Sequence, residues 1–521
     1  MKSFRSYLYF LSFLEGGSVM ACELVAAKML APYFGTSLYI WAATLGLTLG
    51  GLTSGYFLGG ILSKKYAQDI RLLYWVLIGA GVFLVGMPFT SKLIMESTID
   101  MNLQTGAMTS LMVFMVPPLI LMGMVSPIII NLLTQNVESA GNSAGNVYAI
   151  STLGGILFTF LIGFYIIPNF GLSRPIIITG VMLAIAPIIA LLRKKSPSAA
   201  LVLVVMMVSG GWQMAHRVTY PENYKVLYQS DGILGQIKVV DHPTYGYNNT
   251  SEKTGRGLIV NNTLQTFAGL KDNLQYSVWD WAHYFPTAAS IFPENSRVLL
   301  LGLGGGTIVK QMGQLNYQVD AVEIDQRVWE ICKTYFNVDP ATNVVIDDAR
   351  HYIKTTSQQY DIIIFDTFLS ESVPEHLLTI EGIRDAKKIL KPNGMIMANF
   401  YGFVDGEAGL AARSVYKTLS HAGLITEILA TPGKDENRNL IFLASSIEQD
   451  FDKINYEEPN FERIDDLYKY FLTTSIIDTI QAEVLTDEQP KLSKMYAKAA
   501  MSWKKSYNQY YRKHFGEIPA W

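Results

Sequence analysis

Between residues 7 and 215 the sequence is a succession of long apolar segments, and this constrains the fold more than any other feature. Seven can be drawn: Tyr7–Leu30, Leu38–Leu62, Leu72–Met95, Ala107–Leu133, Tyr148–Ile167, Pro175–Leu192 and Ala199–Ala215. Each approaches the ~20 residues that a helix needs to cross the hydrocarbon core of a bilayer. Small residues recur within them, as in "GLTLGGLTSGYFLGG", which suits helices packed closely in lipid. The first segment reads as a helix rather than a cleavable leader, because it is long and carries Glu15 and Glu23. At 521 residues the chain is also too long for one core.

Basic residues suggest an orientation. Lys2 and Arg5, then Lys64, Lys65 and Arg71, then Arg193, Lys194 and Lys195 fall on one side, which the positive-inside rule makes cytoplasmic. Seven full crossings then place everything after Arg217 on the opposite side. The alternative is that the last and weakest segment, "AALVLVVMMVSGGWQMA", is re-entrant or interfacial. Glu15, Glu23 and Lys28 lie in or near the first helix, where ionisable groups mark a lined cavity or a pair. Glu23 is a candidate substrate-facing residue; the alternative is that both glutamates take helix–helix hydrogen bonds while Lys28 reaches the interface.

Charge becomes ordinary only beyond Arg217. Charged residues make up 16% of the chain and its net charge is -3, which gives no reason to expect a nucleic-acid partner. The two cysteines, Cys22 and Cys332, exclude a disulfide framework and a cysteine metal site. No histidines stand at ligand spacing, so no metal is expected.

From Tyr224 to Phe267 short alternating runs, "GQIKVVDHP" and "GRGLIVNNTLQTF", predict a small β-hairpin unit. From Arg297 strands alternate with helices: "RVLLLG", "VDAVEI", "NVVID", "DIIIFD" and "GMIMANF" read as strands of a mostly parallel, Rossmann-like α/β sheet. The whole is a multi-domain chain, divided as 1–216 (helical, transmembrane), 217–270 (β unit), 271–450 (α/β domain) and 451–521 (helical extension).

Ligands in such sheets bind at the carboxyl ends of the strands, and candidates stand there in order. Gly302, Gly304, Gly305 and Gly306 follow the first strand, where glycine lets the backbone approach a ligand. Glu323 ends the second strand in "VEID", placed to hydrogen-bond both ribose hydroxyls. Asp348, in "DDAR" after the third strand, is placed to accept from an adenine amino group. Asp366 ends the fourth strand as a candidate general base for a protonated amine, with a helix N-cap as the alternative.

With these residues in place, the chain resembles the bacterial family in which a polytopic helical region is fused to a spermidine-synthase-like domain. In the helical half the resemblance rests on "CELVAAKMLAPYFGTSLYIWA". In the other half it rests on Gln236, Gln265, the glycine loop, "VEID", "DDAR", "YDIIIFD" and "VLTDEQP". It implies an aminopropyltransferase-type reaction with S-adenosylmethionine or decarboxylated S-adenosylmethionine as donor. Gln236 would then contact the thioether end, Glu323 hold the ribose, Asp348 read adenine and Asp366 deprotonate the attacking amine. Gln265 and Tyr276 would lie on the substrate side. There are departures: Gly305 replaces an Asp of the family's loop, Val260-Asn261-Asn262 replaces its Leu-Asp-Gly, and Tyr276-Ser277-Val278 keeps only the tyrosine. Leu369 replaces a second Asp, so most carboxylates suited to a diamine are missing.

The expectation is a membrane-embedded transferase whose acceptor is a small-molecule or lipid amine rather than a simple diamine. It would sit in a bacterial inner membrane with the lipid bilayer as partner, and a homodimer through the synthase-like domain is a further expected partner. Two alternatives stay open: a transporter-like protein with a nucleotide- or polyamine-sensing domain, and a non-catalytic envelope scaffold with a degenerate site.

Overall fold

The computed structural model describes residues 2–515 apart from 37, 135–136, 216–219, 233, 245–252, 272, 369–373, 434–437, 458–463, 473–476 and 478. Leu369, and Ser37 of the first-helix motif, therefore lie outside the described residues. The chain divides into two compact units. One comprises residues 1–219, 230–236 and 510–521, the other 220–229 and 237–509.

The first unit is helical. Its elements are α1 (Lys2–Phe34), α2 (Leu38–Lys65), α3 (Ile70–Thr98), α4 (Leu103–Phe114), α5 (Val116–Leu133), α6 (Val137–Phe160), a π-helical turn (Leu161–Ile166), α7 (Ile167–Phe170), α8 (Ser173–Arg193) and α9 (Pro197–Ala215). Seven helical stretches among the described residues are long and apolar enough to cross a membrane, consistent with the seven segments drawn from sequence. The fourth needs correction. Ala107–Leu133 is not one helix but breaks at Met115, which ends α4 and precedes α5. Pro117 and Pro118 follow immediately, and proline is tolerated in the first turn of a helix but not in its interior. With 12 residues, α4 spans only about 18 Å at 1.5 Å per residue, so α5 alone has crossing length.

Glycines set the helix pairs. A Cβ on Gly154 of α6 would stand 2.0 Å from the Phe13 carbonyl oxygen of α1, and one on Gly55 of α2 would stand 2.3 Å from the Ile120 oxygen of α5. Backbones this close exclude any side chain, the small-residue packing expected where lipid offers no hydrophobic drive. Glu15, buried on α1, accepts from Ser151 Oγ of α6 at 3.0 Å, which is the helix–helix hydrogen bond of the alternative reading. Glu23 is also buried, and Lys28 lies over the Trp41 ring at 5.9 Å.

The second unit begins with a four-stranded sheet in the order β1 (Lys225–Ser230), β2 (Ile237–Pro243), β3 (Thr254–Val260) and β4 (Thr263–Gly269), with β2, β3 and β4 antiparallel, twice the hairpin expected. Asn261 and Asn262 join β3 to β4 with φ of 49° and 59°, the left-handed pair that a tight hairpin turn requires and asparagine tolerates. After α10 (Trp281–Ala289) come β5 (Arg297–Leu301), α11 (Thr307–Gln314), β6 (Gln318–Glu323), α12 (Gln326–Tyr335), β7 (Asn343–Ile346), α13 (Ala349–Thr355), β8 (Tyr360–Phe365), α14 (Ile380–Ile389), β9 (Leu390–Tyr401), α15 (Leu410–His421), β10 (Ile425–Ala430) and β11 (Asn439–Ser445), with α16 (Leu492–Phe515) last. The seven-stranded sheet runs β10-β11-β9-β8-β5-β6-β7. Its five Rossmann-like strands are parallel, while β10 and β11 add an antiparallel edge. The chain leaves β5 toward β6 and β7, then returns to the other side at β8. The carboxyl ends of β5 and β8 thus form the switch point where such sheets bind ligands.

Candidate active site

The loop after β5 occupies that switch point. Gly302 has φ of +89°, and a Cβ there would lie 2.2 Å from the Asp366 carbonyl oxygen at the end of β8. Only glycine satisfies both the conformation and the approach. Gly304 and Gly306 also have positive φ. Gly305 is closed in by Thr266 Cγ2 at 2.7 Å and the Phe336 ring at 3.0 Å from its would-be Cβ. Its N–H donates to Thr266 Oγ1 at 2.8 Å, and Cys332 Sγ lies 3.0 Å from the Gly304 oxygen. The loop is thereby pinned between β4 and α12.

Glu323 supports the loop from β6. One oxygen accepts the Leu303 N–H at 3.1 Å and the other the Asp325 N–H at 2.9 Å. Burial raises its pKa, and these backbone donors pull it back down. The Ile324 N–H is a third backbone donor with the same lowering effect.

Asp366 lies across the loop from Glu323. Its Oδ1 accepts from Asn399 Nδ2 of β9 at 2.9 Å, and Asn399 Oδ1 accepts from Asn439 Nδ2 of β11 at 2.8 Å. Burial pushes the Asp366 pKa up to about 6, against the lowering effect of Asn399. No helix begins at Asp366 among the described residues. The helix cap instead is Asp348, whose Oδ1 accepts from the backbone N–H groups of Arg350 and His351 at 2.9 and 3.0 Å while Oδ2 lies 3.4 Å from His376 Nε2. Capping uses Oδ1, while Oδ2 faces His376.

Arg350, the last residue of "DDAR", joins Asp385 at 3.0 Å and Asp487 at 3.2 Å. Asp487 belongs to "VLTDEQP", so two motifs far apart in sequence meet in one ion network.

The structure therefore brings Gly302, Gly304, Gly305, Gly306, Glu323 and Asp366 around one loop, with Gln265 beside Thr266 on β4. It does not bring the Tyr276 hydroxyl there, since that group accepts from Gln314 at 3.0 Å, at the end of α11 away from the loop. Gln236 groups with the first unit, where its amide donates to Asp231 at 3.1 Å, and Glu23 lies in that unit as well. Sequence reasoning missed Thr266, Asn399 and Asn439. The available signal for Asn399 was a lone amide within the buried run "GMIMANF". It also missed Trp503 of α16, which stacks on Tyr401 at 4.4 Å and meets Phe368 edge-on at 6.3 Å, forming an aromatic wall near the ends of β8 and β9.

The family described as spermine/spermidine synthase domain matches residues 285–400. A polyamine aminopropyltransferase of Vibrio vulnificus is 38% identical over 131 residues, 23% of this chain and 44% of that one. An N-terminal histidine N-methyltransferase of Emericella nidulans is 28% identical over 172 residues, 32% of this chain and 30% of that one. The chain thus spans less than half the length of these curated relatives. A spermidine synthase crystal structure from Thermotoga maritima aligns with TM-score 0.38 at 17% identity, covering 49% of this chain and 87% of that one. The second unit carries a spermidine-synthase-like domain.

Proposed function

We propose that the chain is a membrane-embedded transferase that moves a group from an S-adenosylmethionine-type donor to an amine. The observation that carries this reading is Asp366, a carboxylate with a raised pKa set against Gly302 of the loop and held by Asn399. The family match over residues 285–400 supports it. The donor supplies a sulfonium whose carbon–sulfur bond is ready to break. The amine nitrogen forms the new bond to that carbon, the bonding pair leaves with sulfur as a neutral thioether, and the amine proton passes to Asp366. Glu323 and the glycine loop fix the donor, so the protein contributes mainly alignment. Asp348 and Gln265 remain the proposed further contacts, with Glu23 proposed for the helical unit. The acceptor is a small-molecule or lipid amine rather than a simple diamine. The seven apolar helices support anchoring in a lipid bilayer, here a bacterial inner membrane, and pairing through the synthase-like domain gives a homodimer.

The test is the pH dependence of transfer, followed by mass detection of the thioether product with a panel of amines. A general base works only when ionised, so kcat/KM falls about tenfold per unit below pH 6 and is flat just above it. The sign is set by the raised pKa: protonation of Asp366 is complete well below 6 and absent well above it. A rate unchanged between pH 5 and 7.5 contradicts the assignment.

A further inference from the structure

Two polar atoms beside the loop are buried and have no hydrogen-bond partner among the described residues: the Gln265 amide nitrogen and the Thr307 hydroxyl. Buried polar groups are nearly always paired, and each exception needs a reason. Thr307 follows the loop directly, and Gln265 precedes Thr266, whose hydroxyl accepts the Gly305 N–H. Gln265 is the extra residue of a β-bulge, because Leu258 pairs with Thr266 and Ile259 with Leu264. A bulge re-aims a side chain that strict alternation would turn away, and its neighbour Thr266 already holds the Gly305 N–H. Thr307 is 5% exposed and opens α11, an eight-residue helix whose Gly306 cap offers no side-chain acceptor. The first N–H groups of that helix are thus left for a ligand, and the helix dipole makes them favour an anion.

The charges around the loop are sorted. Glu323 and Asp366 adjoin its front, at Leu303 and Gly302. On the far side, Lys310 of α11 directs its Nζ to the carbonyl oxygens of Leu274 and Phe336, and the Phe336 ring closes over Gly305. Among the described residues, the groups nearest a Cβ on Gly305 are Thr266 and Phe336, and this flank offers an amide donor, a hydroxyl, helix N–H groups and a nearby ammonium.

From this flank we infer that the donor site selects a donor retaining its α-carboxylate, held by Gln265, Thr307 and the start of α11, over a decarboxylated one. The inference rests on the donor site proposed above and names its substrate class: intact S-adenosylmethionine rather than the bare aminopropyl form.

The test is calorimetry of the full chain in detergent with three ligands: S-adenosylmethionine, decarboxylated S-adenosylmethionine, and 5′-methylthioadenosine, which has no tail. A carboxylate held by charge-assisted hydrogen bonds gives S-adenosylmethionine at least a tenfold tighter Kd than its decarboxylated form. Gln265→Leu brings the two within about threefold, and the near-isosteric Thr307→Val narrows the ratio independently should the first variant not fold. If 5′-methylthioadenosine binds but the decarboxylated donor binds equally or more tightly, the inference is overturned while the donor site stands. If both variants keep the full ratio, the assignment of these residues is overturned. If none of the three ligands binds the folded protein, the donor site falls and the inference with it.

Discussion

Asp366→Asn lowers turnover by ~10²-fold or more while leaving donor binding within a few-fold of the unsubstituted protein, the loss typical of removing a positioned general base. The substitution preserves shape, and an amide in that position still meets Asn399, itself held by Asn439. What disappears is the capacity to take a proton. The carboxylate's raised pKa, about 6, leaves it ionised near neutrality yet more basic than an ordinary aspartate, as an acceptor of an amine proton should be. The variant's residual rate therefore loses the acidic limb near pH 6. Single-turnover transfer with the donor at saturation checks both points. Full turnover in Asp366→Asn removes this residue as the base.

The second large effect is on stability. Arg350→Met destabilises the second unit by about 1–3 kcal/mol, because it removes the buried guanidinium whose charge-assisted hydrogen bonds hold the half-buried Asp385 and the exposed Asp487. Arg350 is 6% exposed. Besides its pairs with Asp385 and Asp487 it donates to the His376 carbonyl oxygen and lies 3.4 Å from Thr379 Oγ1, which in turn donates to Asp487 at 2.6 Å. The network ties the start of α13, where Asp348 caps, to α14 and to the chain leading into α16. Urea unfolding followed by hydrogen exchange of β8 and α14 reads the loss. Arg350→Lys recovers only part of it, since an ammonium cannot serve several partners in one plane. A cost under about 1 kcal/mol would mean that the network is solvated and structurally idle.

The strand-end motifs were legible because the parallel strands are covered on both faces and so read as unbroken apolar runs. "RVLLL" and "YDIIIF" each deliver a loop residue at a predictable end. The glycine loop, Glu323 and Asp366 follow from that alone. The antiparallel edge was not legible: in β10, "ITEILA", Thr426 and Glu427 interrupt the apolar run and leave no parallel-strand signature. Gln265 was named through the resemblance, but its place in a β-bulge was not legible, since a bulge changes which face a side chain takes without changing the residue pattern. Arg350 and Asp487 lie 137 residues apart, and no local spacing pairs them. The break at Met115 was readable in Pro117 and Pro118 but was hidden by continuous hydrophobicity. Trp503 sits in a charged, aromatic stretch whose role appears only through its stack on Tyr401.

The central claim is that the loop at Gly302–Gly306, with Glu323, is an adenosyl site. Calorimetry of 5′-methylthioadenosine against the purified, folded chain tests it most directly, because this ligand carries the nucleoside and thioether but neither charge nor tail. The account predicts saturable 1:1 binding that Glu323→Ala weakens by at least tenfold, a loss of about 1.4 kcal/mol or more. Absence of binding by the folded protein, or binding untouched by Glu323→Ala, would contradict it.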